Sequence, residues 1–138
     1  MSFDQTLTTS FKQEVLLGVH DLATDTLKLA LYTAEADLNA GTTVYSTANE
    51  VVGTGYVAGG NVLTGATVLA SGTTAYVDFD NSTWASAAFT ARGALIYNAS
   101  KGNKSIAVLD FGSDKTATTS FTVQMPANTA TSALIRFA

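Results

Sequence analysis

Cysteine is absent from the 138-residue sequence, which excludes disulfide bonds and thiolate metal sites. Charged residues are scarce as well, because they make up only 13% of the chain, about half of the usual share. The polar surface must therefore come mostly from Thr, Ser, Asn and Gly. A surface of this kind loses little when a partner covers it, because few charges have to be stripped of water.

Three further absences narrow the classes of function. The seven basic residues are spread along the chain without a cluster and the net charge is −4, so we expect no nucleic-acid binding, which requires a basic footprint. No apolar run reaches the roughly 18 residues of a membrane span, so we expect no membrane partner. The N-terminal residues show no basic region followed by an apolar stretch. We therefore expect no secretory signal and a protein synthesised in a cytoplasm.

The beginning of the chain is predicted to form an arm. Residues 2–10 are polar apart from Phe3 and Leu7, so they offer too few apolar side chains for an independent core. We interpret residues 1–10 as an extended N-terminal arm and residues 11–138 as a single β-sandwich domain. No linker or internal repeat marks a second domain.

One amphipathic helix is predicted directly after the arm. Ser10 and Gln13 match a capping box, in which each side chain satisfies a backbone N–H at the start of a helix. Apolar residues then recur at helical spacing: Phe11, Val15, Leu16, Val19 and Leu22. This periodicity predicts a helix of about 12 residues that ends near Ala23.

The remainder of the chain is typical of β-structure. Short segments rich in strand-forming residues alternate with Gly, Asn, Ser, Asp or Pro clusters at intervals of roughly 10–15 residues. The candidate strands are 26–32, 62–70, 75–79, 89, 93–97, 105–111, 121–125 and 133–137. The rhythm predicts a mainly β fold, a jelly-roll-like antiparallel β-sandwich with one short N-terminal helix. The predicted core residues are Leu29, Leu31, Leu95, Tyr97, Ile106, Val108, Val123 and Ile135.

Two groups of oxygen-bearing side chains are candidates for a calcium site. Asp78, Asp80 and Asn81 form the first, and Asp110 and Asp114 form the second. Neither has the spacing of a helix-loop-helix calcium site, and a turn explains both. Alternation along the strand also predicts that Asp78 and Asp80 lie on its solvent-facing side.

The only histidine, His20, lies near the predicted end of the helix. There an imidazolium would interact favourably with the helix dipole. A base for nucleophilic catalysis would have to be this residue or a carboxylate, and no surrounding motif supports that role. The sequence therefore predicts no catalytic residue, no metal, no cofactor and no enzymatic activity.

Glycines are concentrated in residues 53–60. Dinucleotide-binding glycines follow a strand and open a helix, whereas the residues after Gly60 are predicted to form a strand. We therefore interpret the glycines as a bulge or a tight bend at which two backbones pass closely.

Trp84 lies in the otherwise polar segment 81–86 and allows two interpretations. It either covers the core or serves as an anchor in an interface, where Trp is enriched at binding hot spots. Together with Phe3 and Leu7 of the arm, it is a candidate for contact with a partner.

Three stretches of the chain, taken together, carry a resemblance to a known group of proteins. They are residues 49–60 (NEVVGTGYVAGG), residues 91–98 (ARGALIYN) and residues 107–112 (AVLDFG). The predicted helix followed by residues 26–33 (TLKLALYT) adds to it. The chain resembles head decoration proteins, also called cement proteins, of tailed bacteriophages.

The resemblance implies a jelly-roll-like domain on the outer surface of the capsid, made in the host cytoplasm and assembled into the virion. The implied partner is the major capsid protein, whose subunits such a domain bridges against the pressure of packaged DNA. A homo-oligomer, with a dimer favoured, is also implied. We expect Phe3 and Leu7 of the arm to contact a partner chain, although the resemblance transfers no interface residue.

Two alternatives to the cement hypothesis stay open at this point. One is a tail, baseplate or fibre-associated β-domain that binds a host surface, in which exposed Tyr45, Tyr56 and Trp84 would line the site. The other is a small enzyme or a calcium- or sugar-binding module.

Overall fold

The computed structural model describes residues 3–137, which contain one α-helix and ten strands. In chain order the elements are β1 (Thr6–Leu7), α1 (Thr9–Leu16), β2 (Leu27–Tyr32), β3 (Asn61–Val62), β4 (Thr67–Ser71), β5 (Thr74–Asp78), β6 (Ser82–Ala85), β7 (Phe89–Asn98), a 3-10 turn (Ala99–Lys101), β8 (Lys104–Ala117), β9 (Ser120–Val123) and β10 (Ile135–Phe137). The first two residues of the predicted arm and the last residue of the predicted domain lie outside the described range.

The strands form three antiparallel sheets. The largest has the order β1-β8-β7-β2-β3, the second has the order β10-β5-β4, and the third pairs β6 with β9. The predicted class, a mainly β fold of antiparallel sheets with one short helix, is confirmed. The finer assignment to a jelly roll stays a prediction.

Both faces of the largest sheet are buried at its centre. On β2, Leu29 and Leu31 face the main core, whereas Ala30 and Tyr32 face a second cluster on the opposite side. Successive side chains of a strand point to opposite faces, so an almost continuous apolar strand requires cover on both sides. Helix α1 and the two smaller sheets cover the first face, and the long segment 33–50 covers the second.

The pairing of β7 with β8 is interrupted by a large irregular bulge. Ala91 pairs with Lys115 and Gly93 with Asp110, so residues 111–114 of β8 stand opposite a single residue of β7. Bulges bend a strand pair and increase its twist. Beyond the bulge, Phe89 of β7 packs its ring against Phe121 of β9 at 5.2 Å.

The predicted helix was wrong in both of its limits. The N-cap is Thr8, whose hydroxyl accepts the N–H of Phe11 at 3.3 Å, and not Ser10. The helix has eight residues and stops before Gly18 instead of reaching Ala23. Gly18 adopts a φ of 74°, the left-handed conformation with which many helices end, and the apolar periodicity beyond it belongs to a loop.

The strand predictions were right about most segments but wrong in three places, where two candidates form one strand, one candidate is two strands and one strand was missed. Residues 89 and 93–97 form one continuous strand, β7. The candidate 62–70 is two strands, because Gly65 turns the chain with a φ of 71°. Strand β6 was missed, since its residues are mostly small and polar.

All eight predicted core residues are buried, as predicted. Six of them lie in the largest sheet and fall on both of its faces, whereas Val123 and Ile135 lie in the two smaller sheets. Neighbouring positions of the largest sheet, such as Leu95 and Ile96, are equally inaccessible, so burial alone does not test the predicted phase of its strands.

The N-terminal segment is extended, as predicted, but it is part of the domain from Phe3 onwards. Phe3 forms a β-bridge with Leu38, and Thr6 and Leu7 pair with β8. Thr8 is fully buried and its N–H is bonded to the Ile106 carbonyl at 3.0 Å. Residues 3–8 therefore close the edge of the largest sheet.

Candidate partner-binding surface

The three residues predicted to contact a partner lie within the packing of the chain itself. Trp84 is only 4% exposed and packs between Tyr56 and Phe121, at ring distances of 6.1 and 6.2 Å. Phe3 is buried beneath the Arg92 guanidinium, 5.5 Å from the ring centre. Leu7 is half-buried on β1. Trp84 thus takes the core position that was one of its two interpretations, and neither it nor Phe3 offers surface to a partner.

The first set of oxygen-bearing side chains does not converge on a common point. Asp78 is buried, contrary to the prediction that it faces solvent, because the backbone of Leu134, just before β10, lies beside its carboxyl group. Its carboxylate accepts the N–H of Phe79 at 2.9 Å. Burial raises the pKa of Asp78 above its usual value. Asp80 accepts the hydroxyl of Thr64, and Asn81 accepts a backbone N–H after β9. Each of these side chains makes a local hydrogen bond, although the Oδ2 atom of Asp78 is buried with no hydrogen-bond partner among the described residues.

The second acidic pair is also divided. Asp110 is paired with Arg92, whose hydrogen bond holds the pKa of that carboxyl below its usual value, whereas Asp114 is exposed. Among residues 3–137, no three His, Cys, Asp or Glu side chains are arranged to hold a metal ion. Over the same range, no helix has both the length and the apolar composition needed to cross a membrane.

His20 does not stand at the helix terminus, so the predicted interaction with the helix dipole was wrong. Its side chain is fully buried in the loop after α1, with Nε2 2.9 Å from the Glu14 carboxylate. Its Nδ1 lies 3.0 Å from the side-chain amide of Asn98, which also donates to Asp25. In this arrangement Nδ1 accepts and Nε2 donates, so the ring ties the helix to the end of β7.

The glycine-rich stretch passes close to the backbone of β2 and to that of the β6–β7 connection, as predicted for a segment at which two backbones pass closely. A Cβ on Gly55 would come within 2.7 Å of the Ser86 carbonyl oxygen, and one on Gly60 would overlap the Leu29 carbonyl oxygen. Both glycines also have positive φ, 86° and 79° respectively. Only residues without a Cβ allow this close contact.

A buried carboxylate fixes the same stretch from within. Glu50 is 6% exposed, and it accepts the hydroxyl of Tyr45 at 2.6 Å, the N–H of Gly59 at 2.8 Å and the hydroxyl of Tyr56. A buried charge is tolerated only when hydrogen bonds replace its lost hydration. Three donors meet this requirement here, and two of them come from the loop that the carboxylate holds.

Tyrosine side chains connect this carboxylate to the sheet. The hydroxyl of Tyr97 on β7 donates to the Gly59 carbonyl at 2.7 Å, and its ring stacks on Tyr45 at 4.5 Å. The hydroxyl of Tyr56 accepts the N–H of Leu31 on β2 at 3.0 Å. Residues 50–60, which we call the braced loop, are therefore tied to the two central strands of the largest sheet.

Burial and the nearby Glu50 charge both keep these hydroxyls protonated. Desolvation is the main cause that raises the pKa of Tyr45 and Tyr56, followed by their hydrogen bonds to Glu50. Burial and the charge of Glu50 also raise the pKa of Tyr97 to about 12. The hydroxyls stay hydrogen-bond donors at all moderately alkaline pH values, and the bracing is preserved over that range.

Large aliphatic side chains project outward from the braced loop. Val52 is 95% exposed and Val57 is 76% exposed, although the residues between them are anchored. Isolated exposed aliphatic residues are common on proteins, but a fixed backbone beneath them lowers the entropy cost of binding. Leu16 and Leu17 form a second exposed apolar site at the end of α1, which we call the helix end.

Sequence reasoning missed the bracing, although it singled out the residues. Tyr45 and Tyr56 were expected to be exposed rings of a host-binding site, but both are half-buried and their hydroxyls are bonded to Glu50. The one usable signal was the acidic residue Glu50, which directly precedes two valines and the glycine-rich stretch. Its partners lie 5, 6 and 9 residues away in the chain, with no spacing that identifies them.

Comparisons with models of protein families, with curated proteins and with solved structures found no match for this chain. The candidate surface therefore has to be argued from its own geometry.

Proposed function

We propose that this chain is a structural virion protein, a cement protein that binds the outer surface of the capsid. In this role it bridges subunits of the major capsid protein and stabilises the DNA-filled head. The proposal is supported by the resemblance to decoration proteins of tailed bacteriophages and by the low charge of the surface.

The observation that carries the proposal is the braced loop. It contains the longest of the stretches that resemble decoration proteins, residues 49–60. It also presents Val52 and Val57 to solvent on a backbone fixed by Glu50. We infer that this loop is the attachment surface for the capsid shell.

The energetics of such an attachment are those of many weak contacts. Burying one valine side chain contributes about 1.5–3 kcal/mol, so two valines give only modest affinity at a single site. A domain that touches several capsid subunits gains further affinity through effective concentration. Weak individual contacts are therefore sufficient for stable decoration.

The test is an add-back experiment with heads that lack this chain. The purified wild-type protein and a Val52→Asp/Val57→Asp variant are each mixed with such heads, and bound copies are counted by quantitative mass spectrometry. We expect the variant to lose at least about tenfold in apparent affinity, because two charges would have to be desolvated on binding. Its folding is checked by thermal unfolding, which should change little because both side chains are exposed.

The matched control is Leu17→Asp, which places the same charge on another exposed aliphatic residue, 70% exposed at the helix end. We expect Leu17→Asp to bind heads like the wild type. Loss of binding by Leu17→Asp alone would move the attachment surface to the helix end. Normal binding by both variants would remove both surfaces from the mechanism.

The alternative, a tail, baseplate or fibre-associated β-domain that binds a host surface, keeps less support. Its expected ring site is not formed, because Trp84 is buried and the Tyr45 and Tyr56 hydroxyls are engaged with Glu50. Finding the chain in purified tails and not in tail-free heads would favour it.

A further inference from the structure

Strand β4 has an unprotected edge. It forms the end of the three-stranded sheet, it has five residues, and every one of them is exposed. Its sequence, Thr67-Val68-Leu69-Ala70-Ser71, contains no charge, no proline and no glycine. Natural proteins usually blunt such edges with charges, prolines, bulges or very short strands, because free N–H and C=O groups attract another strand.

The other sheet edges within residues 3–137 carry such protection. Strands β1 and β3 have two residues each, and β10 has three, one of which is Arg136. Strands β6 and β9 have four residues each and turn alternate side chains into the core. The side-chain amide of Asn61 also donates hydrogen bonds to the Ser82 hydroxyl and to the Thr83 carbonyl, which protects the edge of β6. Strand β4 is thus the longest of these terminal strands and the least protected. The side of β8 that extends beyond β1 is longer, but it carries the charged residues Asp110, Asp114 and Lys115.

The hairpin that contains β4 fixes which of its backbone groups are free. Ser71 pairs with Thr74 across a two-residue turn whose first residue, Gly72, has a φ of 61°. In such hairpins the pair that closes the turn is hydrogen-bonded, and bonded and non-bonded pairs then alternate. Val68 and Ala70 therefore point their N–H and C=O groups away from β5.

We propose that β4 pairs with β4 of a second copy of this chain, antiparallel and centred on Leu69. Val68 of each copy then lies opposite Ala70 of the other, and these pairs exchange four hydrogen bonds. Leu69 lies opposite its own counterpart in a non-bonded pair. The two three-stranded sheets become one sheet of six strands around a two-fold axis.

A second copy is the occupant that the strand itself favours. An isologous contact places the same patch on both sides, so any charge on the strand would face or neighbour its own like charge. Strand β4 has none, and its two outward-bonding residues are equidistant from its centre. Val68 also lines a groove of about 420 Å³ together with Val15 and Phe137, so pairing covers apolar surface beside the strand.

The contact is small by the standard of stable complexes, which bury about 800 Å² on each partner. Five residues of strand and the rim of one groove supply less. We therefore expect a dimer that dissociates on dilution rather than an obligate one.

The absence of cysteine from the chain makes a crosslinking test direct. Residues opposite each other in a non-bonded antiparallel pair have Cβ atoms about 4.5–5.5 Å apart, close to disulfide geometry. Under mild oxidation, Leu69→Cys should therefore form a covalent dimer. The rate should be on the order of tenfold faster than for a thiol that meets its counterpart only by diffusion.

Two cysteine variants serve as controls. Thr67→Cys lies on the same strand and the same face, but it would be opposite Ser71 of the other copy, about 14 Å along the strand from its own counterpart at about 3.4 Å per residue. Val57→Cys places the thiol on the braced loop, where Val57 is 76% exposed against 42% for Leu69, so accessibility alone would favour this control. Equal rates for Leu69→Cys and both controls would overturn the proposal.

A second variant tests the pairing without a crosslink. Ala70→Pro removes an N–H that points away from β5, and proline is tolerated at such edge positions. We expect the hairpin to stay folded and sedimentation equilibrium to give only the 14.3 kDa monomer at concentrations at which the wild type dimerises. If the proline disturbs folding, Val68→Lys answers the same question, with Val52→Lys as its control.

A wild type that stays monomeric up to millimolar concentration would contradict the proposal. So would a dimer that Ala70→Pro and Val68→Lys leave unchanged, since it would use another surface. Neither measurement requires a capsid, so their failure leaves the proposed attachment of the braced loop untouched.

Discussion

The braced loop and strand β4 are both exposed, yet the chain holds them by opposite means. The loop has an irregular backbone that is fixed by a buried carboxylate and by glycines packed against the sheet. Strand β4 has a regular backbone that is bonded on one side only, and none of its side chains is buried. The hydrogen bonds of the loop are complete within a single chain, whereas the strand leaves hydrogen-bonding groups free. This difference is the reason why we propose shell attachment for the loop and self-association for the strand.

The largest effect is expected from removing the carboxylate that braces the loop. Glu50→Ala leaves two tyrosine hydroxyls and the Gly59 N–H without their acceptor. Each unpaired buried group costs about 1–3 kcal/mol, and because such losses are not additive we expect a total of about 3–5 kcal/mol. Urea unfolding measures this change in the free energy of unfolding.

The control for Glu50→Ala is Glu35→Ala, a substitution of an exposed glutamate in the same long segment. We expect its effect to stay within about 0.5 kcal/mol. Similar values for the two variants would mean that the carboxylate does not brace the loop.

A pair of glycine substitutions compares the two regions directly. Gly60 in the loop and Gly72 in the β4–β5 turn both have positive φ, so alanine is strained at either position. At Gly72 nothing lies within 4 Å of the new Cβ, whereas at Gly60 it meets the Leu29 backbone. We expect Gly72→Ala to cost about 1 kcal/mol and Gly60→Ala at least about 2 kcal/mol more, as for overpacking.

Thermal or urea unfolding of the two alanine variants checks this difference. Equal losses would show that the loop can move away from β2, and the idea of a rigid loop would have to be abandoned.

The raised pKa values of the tyrosines near Glu50 predict that the protein loses folding stability at alkaline pH. Unfolded tyrosines ionise near pH 10, and burial beside Glu50 raises the pKa of Tyr45 and Tyr56 in the folded protein and that of Tyr97 to about 12. A raised folded pKa means that the stabilisation is complete below pH 10 and is lost as the pH rises towards and beyond 12. Urea midpoints measured from pH 8 to pH 12 should therefore fall above pH 10.

The variant Tyr45→Phe should make this decline shallower, because one of the shifted groups is removed. The substitution also removes one hydrogen bond to Glu50, so we expect its free energy of unfolding at pH 8 to be lower by about 1–2 kcal/mol. A decline of unchanged steepness would argue against a contribution from Tyr45.

The smallest effect concerns single amides of β4. In the monomer the N–H groups of Val68 and Ala70 are free, so they should exchange with solvent quickly, whereas the N–H of Leu69 is bonded to β5 and exchanges more slowly. Raising the protein concentration should slow exchange at Val68 and Ala70. Exchange that does not depend on concentration would argue against pairing between copies.

Sequence patterns predicted the part of this fold that depends on local periodicity. The β class, the eight core residues and the close packing of the glycines follow from alternation and from residue type. The helix end was wrong because apolar spacing continues past Gly18, and only the left-handed conformation there ends the helix. Strand β6 was missed because its polar residues carry little signal and its pairing with β9 spans about forty residues.

The candidate surfaces were less accessible to sequence reasoning. The three donors to Glu50 lie 5, 6 and 9 residues from it in the chain, and these separations match neither the helical nor the strand period, so no sequence pattern reports them. Trp84 and Phe3 attracted attention because large aromatic residues in polar segments are typical of interfaces. Their burial depends on packing between distant elements, whereas the exposed residues that matter here are ordinary valines and leucines.

The most direct test of the central claim is a count of copies in the virion. Virions that contain this chain are stripped of their tails, and quantitative mass spectrometry compares the amounts of the chain and of the major capsid protein in the heads. A cement protein predicts many copies that stay with the heads in fixed proportion to the capsid protein. A few copies that leave with the tails would contradict the account.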